Sequence, residues 1–154
     1  MDLVRPRGRT VAVHRLTRSV ITCEEAADAK GIPLARELKS LLVSTSQGVL
    51  LVHLRGTDRL SLRKLKRTLG LQEAYLAPAK ILASMGLGPG CICPLLPSLW
   101  ELPQVVDQGV LVIGILSTNA GRPDHYVFLS PEDLLAAPKV TTADVADRSG
   151  AAIR

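Results

Sequence analysis

The stretch Met85-Gly-Leu-Gly-Pro-Gly-Cys-Ile-Cys-Pro-Leu-Leu-Pro97 constrains this chain more than any other. It places three glycines, three prolines and two cysteines in thirteen positions. Glycine reaches positive φ and lets backbone approach another group closely, while proline fixes φ and removes a donor. Such a run is a stiff, pre-shaped loop with several backbone N–H groups free, a surface suited to a carbonyl oxygen or a phosphate. On composition alone the simpler reading is an irregular connection that covers one edge of a sheet.

The totals narrow the classes. A chain of 154 residues, 47% hydrophobic and 21% charged, suits one compact domain with a substantial core. Trp100, Phe128, Tyr75 and Tyr126 are all its aromatics, too few to stack bases on several platforms. The net charge of +5 favours an anionic partner without naming one. No apolar run approaches the roughly 20 residues needed to span a bilayer. The basic stretch 1–10 leads into no apolar segment, so it reads as a loose, flexible arm and not as a signal peptide. Three cysteines, an odd number, suggest a reducing cytoplasm. Cys91 and Cys93 lack a second C-x-C pair, and His14, His53 and His125 are widely spaced, so neither a metal nor a cofactor is expected.

Local signals give an order of elements. Thr22 and Glu25 have capping-box spacing and predict a helix through Ala26, Ala27 and Ala29 that stops at Gly31. Pro33 opens a short turn through Leu34 and Glu37. Lys39–Val43 and Val49–Leu54 read as buried strands joined in a hairpin by Ser44–Gly48. Ser61 caps a helix to Leu69, ended by Gly70, with Leu62, Leu65 and Leu69 on one face and Arg63, Lys64, Lys66 and Arg67 toward solvent. With Arg59 these make the densest basic patch.

A strand at Ala74–Leu76 precedes a helix between Pro78 and Gly86. Strands follow at Gln104–Asp107 and Val110–Ser117, the latter apolar enough for burial on both faces. A turn at Asn119–Pro123 leads to a strand at Tyr126–Leu129, and Ser130–Asp133 caps a helix over Leu134 and Leu135. A last short helix is expected near Ala143–Asp147. Strands interleaved with short helices predict an α/β or α+β single domain, 1–154, around a mixed sheet.

Motifs for nucleophilic, P-loop or zinc-protease chemistry are absent. Lys39 stands at the mouth of an apolar strand, where a solvated strand-end lysine is the ordinary reading. Cys91 and Cys93 have no histidine near them in sequence to act as base, so packed thiols are the ordinary reading there too. An enzyme built from this chain would work with backbone amides and a lysine.

In order and spacing, Lys39-Ser-Leu-Leu-Val43, Leu60-Ser-Leu-Arg-Lys-Leu65 with Leu69-Gly70, Gly86, Gly90-Cys-Ile-Cys-Pro94, Leu102–Asp107 and Leu129–Leu134 resemble the YbaK-like family. That family includes the editing domain of bacterial prolyl-tRNA synthetase and free-standing relatives that hydrolyse mischarged aminoacyl-tRNA. The resemblance runs from about Thr22 to Ala146. It implies a trans-acting aminoacyl-tRNA deacylase, acting on proline tRNA that carries alanine, cysteine or another small amino acid. The backbone of Gly90, Cys91, Ile92, Cys93 and Pro94 would hold the ester carbonyl and an attacking water, helped by the 2′-hydroxyl of the terminal adenosine. Lys39 would bind the terminal phosphate or orient the substrate. Gly86, Asp107, Ser117 and His125 would contact substrate, and Arg59, Arg63, Lys64, Lys66 and Arg67 would meet the tRNA acceptor stem. No cofactor and no membrane are implied, and transient contact with an aminoacyl-tRNA synthetase is allowed.

One departure stands out. Many relatives read Gly-Gly-Ile-Ser-Pro-Leu-Gly where this chain has Gly90-Cys-Ile-Cys-Pro-Leu-Leu96. A positive φ at Cys91 would be strained, and two thiols near the substrate would narrow the pocket or change its polarity. The rival reading is a non-catalytic module that binds a tRNA end, a nucleotide or a protein. A further one is an enzyme acting on another acyl ester.

Overall fold

The computed structural model describes residues 2–148. Its strands are β1 (His14–Arg15), β2 (Leu38–Thr45), β3 (Gly48–Arg55), β4 (Arg59–Leu60), β5 (Ala74–Leu76), β6 (Gln104–Asp107), β7 (Leu116–Asn119), β8 (His125–Leu129), β9 (Val140–Ala143) and β10 (Ala146–Asp147). The helices are α1 (Cys23–Lys30), α2 (Leu62–Leu69), α3 (Ala79–Ser84), α4 (Pro97–Trp100), α5 (Gln108–Leu111) and α6 (Pro131–Leu135), with 3₁₀ turns at Pro6–Gly8 and Leu34–Arg36.

The hairpin β2–β3 is the spine, paired antiparallel from Leu38 opposite Arg55 to Thr45 opposite Gly48. β5 adds antiparallel to the far half of β2, and β6 then β9 add parallel beyond β3, giving a mixed sheet in the order β5-β2-β3-β6-β9. Residues directly opposite share a face. Val43 with Leu50, and Leu41 with Val52, therefore point to one side, where Leu54 and Val105 join them against Leu65 of α2. Leu42 and Leu51 point to the other side and meet Leu87 and Leu99. β6 alternates in the same way, with Val105 under α2 and Val106 in the opposite core.

That opposite core holds the second sheet, β1-β8-β7, through Leu116, Val127 and Leu129, together with Cys93, Leu95 and Trp100 of the loop region. The predicted caps form. Thr22 accepts from the Glu25 amide, Ser61 from the Lys64 amide, and Ser130 and Asp133 make a full capping box on α6.

Three expectations are corrected. Val110–Ser117 is not one strand: Asp107 caps the short helix α5 there, Val112 is 77% exposed, and the strand begins only at Leu116. The segment near Ala143–Asp147 is strand, because its backbone finds partners in β6 and β4. The arm is docked instead of loose. Pro6 is buried, the Val4 amide donates to the Leu95 carbonyl (2.8 Å), and Arg7 and Arg9 both bind the buried Asp133 carboxylate.

Burial pushes the Asp133 carboxyl up, but the Ser130 amide and the two guanidinium groups outweigh it and hold it below the ordinary carboxylate range. No helix among the described residues is long and apolar enough to cross a membrane.

Candidate active site

β5 pairs only with Val43–Thr45, so the first half of β2 has an uncovered edge. Along a strand the backbone groups alternate sides. The Leu42 carbonyl accepts from Ala77 on the β5 side, whereas the Glu37 carbonyl accepts from Gly56 on the β3 side. The same alternation turns the N–H and C=O of Ser40 toward the uncovered edge. A cavity of about 230 Å³ sits there, walled by Glu37–Leu41, by the approach to α1 and the inward face of that helix, by Pro123, His125 and Tyr126, and by Gly90 and Ile92.

The loop reaches this cavity through glycine. Gly90 has φ 68°, and a Cβ built on it would lie 2.7 Å from the Ile21 carbonyl oxygen, so neither the conformation nor the space admits a side chain. The Cys91 amide donates back to the Gly88 carbonyl (3.1 Å). Among the described residues, the amides of Gly90, Ile92 and Cys93 have no protein acceptor. Asn119 props the loop from behind: its Nδ2 donates to the Ile92 carbonyl (3.1 Å) while its Oδ1 accepts from Gly121 (2.8 Å).

Lys39 lines the cavity, and its Nζ donates to the Asp58 carbonyl (2.6 Å). Asp58 is itself fixed by Arg55 Nε (2.9 Å). An ammonium carries three protons, so two remain for a ligand. His125 also lines the cavity, with Nδ1 donating to Asp124 (2.6 Å).

Ser40, next along β2, belongs to a buried relay that local sequence does not announce. Its Oγ lies 2.8 Å from His53 Nδ1, His53 Nε2 lies 2.7 Å from Gln104 Oε1, and Gln104 Nε2 donates to the Trp100 carbonyl (3.1 Å). Gln104 therefore accepts from a protonated Nε2, and bare Nδ1 accepts from Ser40. Burial pushes the His53 pKa down to about 4, although its Gln104 bond raises it. The imidazole is neutral at pH 7.

At the inner end of the cavity Lys30 Nζ donates to Glu37 Oε1 (2.8 Å), Glu37 Oε2 (3.0 Å) and Ser117 Oγ (2.7 Å), and lies 4.7 Å from the centre of the Tyr126 ring. Burial lowers the Lys30 pKa and raises that of Glu37, and their mutual bond opposes both shifts. Glu37 stands two residues before Lys39, but its bond to Lys30 crosses a helix end and a turn. No periodic pattern signals it.

The other sequence-derived residues divide. Ser117 is buried one bond behind the cavity wall, on Lys30. Gly86 lies outside the cavity as the left-handed residue after α3, with φ 73°. Asp107 is fully buried away from the cavity. It accepts from the amides of Gly109 (2.8 Å), Val145 (2.9 Å) and Ala146 (3.1 Å) and from the Arg148 guanidinium, so its carboxylate is a structural clasp.

Cys91 and Pro94 are buried beside the loop, and Cys93 is in the core with Leu38 and Leu95. Their side chains are not on the cavity wall, so the thiols do not narrow it. The positive φ falls on Gly90, and Cys91 has none. Burial, opposed by the Leu95 and Leu96 amides, pushes the Cys93 thiol up to about 12. On α2 the Lys64 ammonium is taken up by Asp144 (3.1 Å) and the Ala146 carbonyl (2.8 Å). Arg59, Arg63 and Arg67 are exposed and Lys66 is half-buried, so the basic face keeps four of its five cations.

The cavity brings together Lys39, the Lys30–Glu37 pair and, among the described residues, a loop with amides that have no protein acceptor, and comparison with known proteins places the chain in a family. The chain belongs to the aminoacyl-tRNA editing domain family, whose profile matches residues 17–137. It is similar to the proline–tRNA ligase of Acidithiobacillus ferrooxidans, 32% identical over 139 residues, which cover 89% of this chain and 24% of that enzyme. With the proline–tRNA ligase of Xanthomonas campestris pv. campestris it is 36% identical over 102 residues, covering 64% of this chain and 18% of the enzyme. The chain thus spans about a quarter of the length of the first of these curated relatives, 24%. The solved structure of a candidate trans-editing enzyme for prolyl tRNA synthetase superposes with a TM-score of 0.77 at 27% identity, covering 89% of this chain and 87% of that one.

Proposed function

We propose that this chain is a trans-acting deacylase that hydrolyses the ester of a mischarged aminoacyl-tRNA, with proline tRNA carrying a small wrong amino acid as its substrate. The observation that carries this reading is the shared wall. Lys39, Gly90 and Ile92 line one cavity, and among the described residues the amides of Gly90 and Ile92 have no protein acceptor.

These amides would hold the ester carbonyl and the negative charge that grows on it, a contribution usually larger than any other single one. Water adds to the carbonyl carbon, the bond to the ribose oxygen breaks, and the water proton passes to that oxygen. Free amino acid and uncharged tRNA leave. The cavity of about 230 Å³ takes the aminoacyl group and keeps the nucleic acid outside. Lys39, with two protons free, suits the phosphate of the terminal nucleotide. The basic face of Arg59, Arg63, Lys66 and Arg67 suits the acceptor stem, and binding there would weaken steeply with added salt.

The test is deacylation of proline tRNAs charged with alanine, cysteine, serine or threonine, by wild type and by Lys39→Ala. Turnover on at least one, reduced on the order of 10²-fold in the variant, supports both reaction and site. No turnover with tRNA binding intact would make the domain a non-catalytic tRNA-end binder instead. Turnover indifferent to Lys39→Ala would keep the reaction and move the site.

A further inference from the structure

We propose that the Lys30–Glu37–Ser117 cluster at the inner end of the cavity selects an aminoacyl group whose side chain carries a hydroxyl, as in serine or threonine, over one that ends in a methyl group. The inference rests on reading the cavity as the aminoacyl site.

Lys30 and Glu37 side chains are only 2% and 4% exposed, yet both lie on the cavity wall. The three ammonium protons of Lys30 all have acceptors, two on Glu37 and one on Ser117. Lys30 therefore offers nothing further to a ligand. Glu37 does. A carboxylate has about four acceptor positions, and Lys30 fills two of them.

A buried ion pair is commonly replaced by apolar side chains of similar volume without loss of stability. A pocket for alanine would favour that apolar version, because a wall with unsatisfied acceptors rejects a group that cannot donate.

Ser40 supplies an independent observation of the same sign. The chain Ser40–His53–Gln104–Trp100 runs in one direction, each member donating to the next, and the Ser40 proton points away into the relay. Ser40 Oγ, on the same wall, therefore presents only lone pairs. Glu37 and Ser40 thus add acceptors to a wall whose donors are Lys39 and the loop amides. The α-ammonium of the substrate donates too, but every aminoacyl ester carries one, so it cannot discriminate. A side-chain hydroxyl can.

The experiment compares wild type with Lys30→Leu/Glu37→Val. Turnover is measured on proline tRNA charged with alanine, serine or threonine. Binding is measured by calorimetry with the non-hydrolysable amides 3′-serylamino-adenosine and 3′-alanylamino-adenosine. Wild type should favour the seryl over the alanyl member by about 10- to 100-fold in both kcat/KM and Kd, the range of one hydrogen bond to a charged group. The double variant should bring that ratio near one, chiefly by losing serine, with its melting temperature kept.

Equal affinity of wild type for the two amides, or binding of neither, would overturn the inference without recourse to any variant. So would an equal loss on all three substrates in the double variant, which would assign the cluster to the ammonium or to the fold. Alanine turnover without a serine preference would leave the deacylase standing and refute the selectivity. Preferential binding of the seryl amide with no turnover on any tRNA would do the reverse.

Discussion

Asp107 ends the Leu102–Asp107 stretch that resembles an editing motif, yet its carboxylate is a clasp. Replacing it with alanine separates the two roles. The substitution leaves the amides of Gly109, Val145 and Ala146 without an acceptor and takes one of its carboxylate partners from Arg148, which keeps Asp144 and Asp58. A buried donor left unpaired costs about 1–3 kcal/mol, so three give roughly 3–9 kcal/mol. Water entering the vacated space pulls the cost toward the lower end, near 4 kcal/mol, a large share of the 5–15 kcal/mol typical of a domain. For a chain of this length that is a fall in Tm of roughly 8–16 °C. Thermal and urea unfolding by circular dichroism would read it. Asp107→Asn should fall between, because one oxygen remains while the new NH₂ faces donors. An alanine variant melting within about 2 °C of wild type but inactive on charged tRNA would refute the clasp.

Three other outcomes are expected. Gly90→Ala forces a Cβ to 2.7 Å from the Ile21 oxygen at φ 68°, so it should displace the loop amides and lower deacylation on the order of 10²-fold; unchanged turnover would remove those amides from the chemistry. His53 stays neutral when folded, with its pKa lowered from 6.5 to about 4, so between those values the unfolded chain binds the proton that the native state refuses. Stability is therefore full above pH 6.5, declines as pH falls toward 4, and the His53 share of that slope disappears in His53→Gln, as urea titrations across pH would record. Burial pushes Cys23 to about 11 and Cys93 to about 12, and burial with nearby Asp124 raises Cys91. Iodoacetamide at about pH 8 should thus leave all three thiols intact until urea is added, and rapid native labelling of Cys91 or Cys93 would place a reactive thiol in the loop.

Where chemistry was local, the sequence was readable. Thr22, Ser61 and Ser130 are caps because a side-chain oxygen three residues before an amide is close to it in any helix start. The hairpin β2–β3 followed from two apolar runs and a turn between them. The Met85–Pro97 loop was legible as stiff, and Gly90 does take the positive φ that its composition suggested. Failure came with long-range partners. An apolar run such as Val110–Ser117 looks the same whether it is strand or helix, and the Asp107 cap decided it. Arg7 and Arg9 looked solvated because Asp133 lies more than a hundred positions away. Lys64 looked like a nucleic-acid contact until Asp144 was placed beside it. The Lys30–Glu37 pair and the Ser40–His53–Gln104 relay stayed hidden for the same reason: neither joins neighbours on one helix face or one strand.

The pairing of β9 with β6 and of β10 with β4 has a consequence in time. The β2–β3 hairpin can zip as soon as it leaves the ribosome, because its partners are adjacent. β6 then waits with a bare parallel edge, and Asp107 waits for the Val145 and Ala146 amides, until the last described residues are synthesised. Those residues lie beyond the stretch 17–137 matched to the family profile. From the synthesis of β6 until Val140–Ala143 has been made, the nascent domain therefore carries an uncovered strand edge.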